Sequence, residues 1–254
     1  MIFRWLTERR RSRLLETPFP EDWRGYLEAN VKAYRLLDEE EQQRLRDLVK
    51  VFIAEKHWEG CGGLELDDEM RVTIAGSACL MILGREHDLM REVESILVYP
   101  SSVMAPEHVA GFFDGRARVV DGPTAVLGLA HHGGPVVLAW DSVLQGAKND
   151  RDGNNLVIHE MAHKIDFIDG EADGTPPLES SAARRAWAEV CAKAFLARKS
   201  GEDTFLRAYA GTNEAEFFAV ASEVFFEKPK QLKRAEPELY EVLLAFYKLD
   251  LAAR

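Results

Sequence analysis

The stretch Asn154-Asn155-Leu156-Val157-Ile158-His159-Glu160-Met161-Ala162-His163-Lys164-Ile165-Asp166 decides the reading of this chain. Leu156, Val157, Ile158, Met161, Ala162 and Ile165, continued by Phe167, predict a largely buried helix. Four residues make a little over one helical turn, so His159 and His163 emerge one above the other and can hold one ion between them. Glu160 leaves the helix to one side of that pair. In this geometry the imidazoles bind zinc, and the carboxylate, not itself a ligand, takes a proton from the water that the metal activates. Two histidines and a glutamate in so apolar a helix cost free energy unless something satisfies them. One zinc ion per chain satisfies all three, whereas a hydrogen-bonded structural cluster is the competing account. The zinc account makes the chain a hydrolase.

Two histidines and a water leave a tetrahedral zinc one protein ligand short. Downstream, Asn213-Glu214-Ala215-Glu216-Phe217-Phe218-Ala219-Val220-Ala221-Ser222-Glu223-Val224-Phe225-Phe226 reads as a second apolar helix with acids embedded in it. Glu216 and Glu223 share one face of that helix, and either carboxylate can complete the site. Asn213 with Glu216 three positions on is also a capping-box pattern, in which Glu216 would bind only backbone. Asp169, six residues past His163, is a further candidate, although Asp166 stands where an intervening glycine is usual. Spacing leaves this choice open.

The rest of the chain bounds the function class. Its 254 residues, 46% of them hydrophobic, suit one domain over residues 1–254 with ample chain to bury a core. A formal net charge of -11 argues against sequence-independent nucleic-acid binding, since a polyanion is repelled on average. Cys61, Cys79 and Cys191 are odd in number and lack metal-ligand spacing, which fits reduced core thiols in a cytoplasmic protein. No apolar run reaches the length of a membrane span. The cluster Arg9-Arg10-Arg11-Ser12-Arg13 follows Met1-Ile2-Phe3-Arg4-Trp5-Leu6 without an apolar stretch behind it, so it reads as a solvated arm and not as a secretion signal.

The expected fold is α+β: a helical part over about residues 18–93, then a sheet and catalytic part over about 94–254. From Pro20 to about Gly84 the pattern is helical. Asp38 with Glu41 forms a capping box before Leu45, Leu48, Val49, Phe52 and Ile53, and Asp67 caps the next helix. Between about Ser95 and Trp140, short apolar runs separated by turn residues predict a small mixed sheet. Its strands are Ile96–Tyr99, Ala117–Val120, Ala125–Leu129 and Pro135–Trp140. His131 and His132 beside a Gly-Gly turn read as exposed and not as ligands. Residues 135 to 140 are expected to form an edge strand on which an extended peptide substrate can pair. The remainder is again helical, with one helix over about Arg184 to Arg198 and a last one beginning at Pro237.

The motif helix, the stretch Gly133-Gly134-Pro135-Val136-Val137-Leu138-Ala139-Trp140-Asp141, and Ala215-Glu216-Phe217-Phe218-Ala219-Val220-Ala221-Ser222-Glu223 followed by Phe225-Phe226 together closely resemble the Mlc titration factor A (MtfA) family. The resemblance runs from Pro18-Phe19-Pro20 to Phe246-Tyr247. It implies a bacterial cytoplasmic zinc metallopeptidase of zincin-like fold and aminopeptidase-type activity, with an active site related to the anthrax lethal factor catalytic domain. It also implies binding and inactivation of the glucose repressor Mlc, and so a link to regulation of sugar uptake. Carried over by position, His159 and His163 match the zinc histidines, Glu160 the catalytic carboxylate and Glu216 the third ligand. Tyr209 matches a tyrosine near the substrate carbonyl, while Asp166 and Glu223 match residues that orient the histidines from behind.

A rival function of another class is a non-catalytic regulatory protein that sequesters a transcription factor and uses zinc only as scaffold. Glu160 favours the enzyme, because a purely structural zinc clip gives that carboxylate nothing to do.

Overall fold

The caps read from the sequence set the first helices. Asp38 Oδ1 accepts the Glu41 N–H at 2.9 Å and Glu41 returns to the Asp38 N–H at 3.1 Å, a complete capping box that opens α3 (Glu39–Glu55). Asp67 accepts the Met70 N–H and opens α4 (Asp68–Leu80). Ahead of them lie α1 (Ile2–Glu16) and α2 (Glu21–Asn30). The computed structural model describes residues 2–85, 87–101, 103–104, 125–126, 128–130, 134–149 and 152–254.

The arginine cluster near the start is largely exposed, as expected, but it is not a free arm. It lies on α1, where Arg11 forms a forked ion pair with Glu55 at 2.6 and 2.8 Å and Arg10 donates to the Ala54 carbonyl at 3.1 Å. The guanidinium fork and the free carbonyls at the end of α3 supply the reason.

Four strands form one sheet in the order β1 (His57–Gly60), β2 (Ser95–Tyr99), β6 (Val136–Ala139), β5 (Gly128–Ala130). The first three are parallel and β5 runs antiparallel to β6, so the sheet is mixed as expected. A separate pair joins β3 (Val103–Met104) to β4 (Ala125–Val126). Two expectations are corrected. His57–Gly60 is not helical: it leaves α3 and pairs with β2 in parallel register, His57 opposite Ser95. Residues 136–139 do not form an edge strand, because β6 is hydrogen-bonded to β2 on one side and β5 on the other. Trp140 has left the strand and starts α5 (Trp140–Lys148). The expected strand at 117–120, and His131 and His132, lie outside the described residues.

The C-terminal part comprises α6 (Leu156–Asp166), α7 (Ser181–Lys199), α8 (Glu214–Glu227), α9 (Pro229–Ala235) and α10 (Pro237–Tyr247). Its core is aromatic. Phe225 stacks on Tyr247 with centroids 5.3 Å apart, and Trp187 meets Phe218 and Phe246 edge to face. Each such ring contributes roughly 2 to 3 kcal/mol by leaving water. Gly84 lets the turn after α4 pass beneath the end of α10, since a Cβ there would lie 2.4 Å from the Lys248 carbonyl oxygen. Of the cysteines, Cys79 and Cys191 are buried and Cys61 is half-buried; none is in a disulfide. Among the described residues no helix is long and apolar enough to cross a membrane.

Candidate metal centre

Asn155 begins the site. Its side chain accepts the Ile158 N–H at 3.1 Å, capping α6 and fixing where the motif histidines emerge. His159 and His163, one turn apart, meet edge to face, with their Nε2 atoms 3.3 Å apart. Helix α8 packs across α6 and brings Glu216 to them. Its Oε2 lies 3.1 Å from His159 Nε2 and 3.5 Å from His163 Nε2. Asn213 does accept the Glu216 N–H at 2.9 Å, but the Glu216 carboxylate points at the histidines and not back at the cap.

These three atoms fit a metal. Bonds of about 2.0 to 2.1 Å at tetrahedral angles put neighbouring ligand atoms about 3.3 to 3.4 Å apart. The observed edges bracket that spacing. Glu216 Oε2 is buried without a hydrogen-bond partner, at ion-pair range of both rings but outside hydrogen-bond geometry. Converging acceptors in a partly buried place repel one another unless a cation sits among them. His159, His163 and Glu216 are also the one group among the described residues whose ligand atoms gather closely enough for an ion.

His159 Nδ1 lies 2.8 Å from Glu223 Oε1. A carboxylate can only accept, so Nδ1 carries a hydrogen, and Nε2 faces His163 and Glu216, where it can ligate a metal once its own proton is displaced. Burial works against a charge on His159, but Glu216 and Glu223 outweigh it and raise the pKa from 6.5 to about 10. Burial likewise opposes ionisation of Glu216, and the two histidines overcome it, holding its carboxyl well below the usual range.

Glu223 is fully buried and fully used. It takes the Asn155 N–H at 2.7 Å on Oε2 and Arg207 at 2.6 Å on Oε1. One turn along α8, Glu227 takes the Asn155 side-chain amide at 2.8 Å and Lys32 at 2.9 Å. Glu160 is 3% exposed on α6. The next turn carries the buried Lys164, which donates to the Gly134 carbonyl at 2.5 Å; burial lowers its pKa, against the Glu160 charge.

Tyr209 sits in the 3-10 turn Ala208–Gly211, half-exposed, with its ring 6.1 Å from that of His159. Burial of its hydroxyl and the neighbouring Glu216 charge push its pKa to about 12, so it stays protonated. Asp166 is wholly buried and accepts the Gly174 N–H at 3.0 Å. Burial lifts it to about 6, while the Gly174 N–H and the nearby His163 pull the other way. Among the described residues it makes no hydrogen bond to His163. Asp169 instead accepts the Glu171 N–H at 3.2 Å in an exposed turn, away from the cluster.

The geometry thus gathers His159, His163, Glu216 and Glu223, with Glu160 and Tyr209 alongside. Sequence reasoning assigned nothing to Asn155, Arg207 or Lys32. Asn155 carried a usable signal, an asparagine just before an apolar helical run.

The model of the glucose-regulated metallo-peptidase M90 family matches residues 5–248. An uncharacterised protein of Synechocystis is 30% identical over 251 residues, covering 97% of this chain and 90% of its own length. Mlc titration factor A of Serratia proteamaculans is 34% identical over 225 residues, 86% of this chain and 84% of its own. Its counterpart in Yersinia pestis is 30% identical over 232 residues, 89% and 84%. With a family model spanning nearly the whole sequence and relatives aligned over most of their length, the chain belongs to the glucose-regulated metallo-peptidase M90 family.

Proposed function

We propose that this protein is a zinc-dependent peptidase of aminopeptidase type, with His159, His163 and Glu216 as the metal ligands and Glu160 as general base. The observation that carries the reading is the triangle of ligand atoms, 3.1, 3.3 and 3.5 Å on its edges, beside a buried Glu160. Two imidazoles and one carboxylate are the donor set of catalytic zinc, leaving a fourth position for the reaction. Zinc, when bound, supplies a Lewis acid that makes water more acidic and polarises a peptide carbonyl.

The chain's own residues do the rest. Glu160 accepts the proton of the attacking water and returns it to the leaving amine. Glu223 holds the Nδ1–H of His159 and so keeps Nε2 free to ligate. Asp166 secures the loop at Gly174 and orients the His163 end of α6 through its charge. The protonated Tyr209 hydroxyl donates to the carbonyl oxygen as it becomes anionic.

The test is metal analysis together with cleavage of aminoacyl chromogenic substrates and an internally quenched peptide, wild type beside Glu160→Gln and Glu216→Ala. One zinc per chain, with chelator-sensitive cleavage lost in Glu160→Gln at unchanged metal content, is expected. Glu216→Ala is expected to lose zinc. Full activity of Glu160→Gln would sink the assignment.

The name of the Mlc titration factor A relatives favours a second reading, that the chain binds a repressor of the Mlc type in the cytoplasm, with zinc structural. Stoichiometric zinc without cleavage, together with capture of such a repressor, would favour it.

A further inference from the structure

Arg46 and Lys50 stand one turn apart on α3 and are buried, 8% and 5% exposed. Both have neutral partners. Arg46 donates to the Tyr34 hydroxyl and to Gln43 Oε1, each at 2.7 Å. Lys50 donates to the Thr17 hydroxyl at 2.9 Å and to the Thr17 carbonyl. Lys32 and Arg207, which also reach inward, have the carboxylates of Glu227 and Glu223, whereas Lys164, like this pair, donates to a neutral acceptor but is a single cation. These two like charges stand side by side, bonded to neutral acceptors and with no carboxylate at ion-pair distance among the described residues, an arrangement that favours an anion between them.

Both side chains line a surface cavity of about 380 Å³ where the end of α1 meets α2 and α3. Thr17, Gln43 and the exposed Arg24 add polar groups, and Leu15, Pro18 and Phe19 an apolar wall. Two acids share the lining without neutralising the pair. Glu16 is exposed, and Asp47 accepts the Gln43 amide at 2.9 Å; neither is within ion-pair distance of Arg46 or Lys50.

We propose that this cavity binds a phosphate group, as inorganic phosphate or a phosphate monoester, through Arg46 and Lys50 with Arg24 at the rim. A phosphate dianion matches two buried cations in charge. Its oxygens exceed the two of a carboxylate, and they suit a guanidinium fork, an ammonium and a hydroxyl together. The cavity is of a size for a small ligand and includes none of the residues of the metal centre. The inference is therefore independent of the peptidase reading.

The test is calorimetric titration of the zinc-loaded full chain with sodium phosphate and with glycerol 3-phosphate, at an ionic strength held constant with sodium chloride. Lys50→Gln and Arg24→Gln are titrated beside the wild type. One saturable site per chain is expected, weakened roughly ten- to a hundredfold in Lys50→Gln, the worth of one charged hydrogen bond. Arg24→Gln, at an exposed position, weakens binding less and decides the matter alone if Lys50→Gln does not fold. Sedimentation with phosphatidylcholine vesicles, with and without phosphatidic acid, separates the sources. Retention on the acidic vesicles that free phosphate competes away assigns the group to a lipid headgroup, and solution binding without retention assigns it to a soluble ligand. Absence of saturable binding in every arm overturns the proposal. So does affinity equal to wild type in the variants, which places the anion elsewhere, for instance at the metal.

Discussion

Glu223 accepts the backbone N–H of Asn155 at 2.7 Å through one oxygen and faces His159 Nδ1 at 2.8 Å through the other. One buried carboxylate thus fixes both the residue that starts α6 and a histidine that projects from it toward the candidate metal centre. Glu223→Gln is expected to weaken zinc binding roughly ten- to a hundredfold, the usual cost of removing a carboxylate behind a ligating imidazole. Competition with a chromogenic chelator measures it. Unchanged affinity would separate Glu223 from the metal site.

The metal-free protein holds a proton on His159 up to about pH 10, against an ordinary 6.5. Such a raised value contributes stability that is complete below 6.5 and lost as the pH climbs toward 10. Zinc competes for the same nitrogen and must displace that proton. At fixed free zinc, the metal-induced rise in Tm is therefore expected to grow between about pH 7 and pH 9. Thermal unfolding across that range checks it, and a rise indifferent to pH would argue against His159 as a ligand.

Tyr209 is half-exposed, so losing its hydroxyl should leave the fold alone. Tyr209→Phe is expected to lower kcat about ten- to a hundredfold with little change in KM, zinc content or Tm, as for loss of a hydrogen bond made mainly in the transition state. Equal kcat would return Tyr209 to the role of a surface aromatic.

Gly174 joins α6 and α8 at another point. It adopts φ +77°, donates to Asp166 at the end of α6, and lies so close to α8 that a Cβ would sit 2.3 Å from the Glu214 carbonyl oxygen. Gly174→Ala is expected to cost about 2 to 4 kcal/mol, combining left-handed strain with the clash. Urea unfolding of the metal-free protein reads the loss. Because the collision is with the first turn of α8, zinc content should fall as well.

What was legible in the sequence was local. Histidines four apart on an apolar helix need only helical geometry, and the caps at Asp38 and Asp67 need only three residues of neighbourhood. Which acid meets the two histidines was not legible from spacing, since Glu216, Glu223 and Asp169 all had plausible positions. Packing of α8 across α6 separates them, sending Glu216 to Nε2, Glu223 to Nδ1 and Asp169 to a surface turn. The strand His57–Gly60 has no alternating apolar pattern and exists because β2 lies alongside it. Arg207 and Lys32 were missed for a related reason, as their partners are distant in the chain and leave no periodic trace.

Lys32 reaches Gly146 O at 3.0 Å, Asn149 O at 2.5 Å and Glu227 at 2.9 Å from a segment far upstream of all three. Glu227 in turn holds the side chain of Asn155, and β1 lies in the same sheet as β6. The part that carries the candidate metal centre is therefore not a portable module. A fragment beginning near residue 94 would strand two carbonyls and a buried carboxylate at the threshold of the motif helix and remove a strand from its sheet. Attempts to trim this chain should keep the upstream helices.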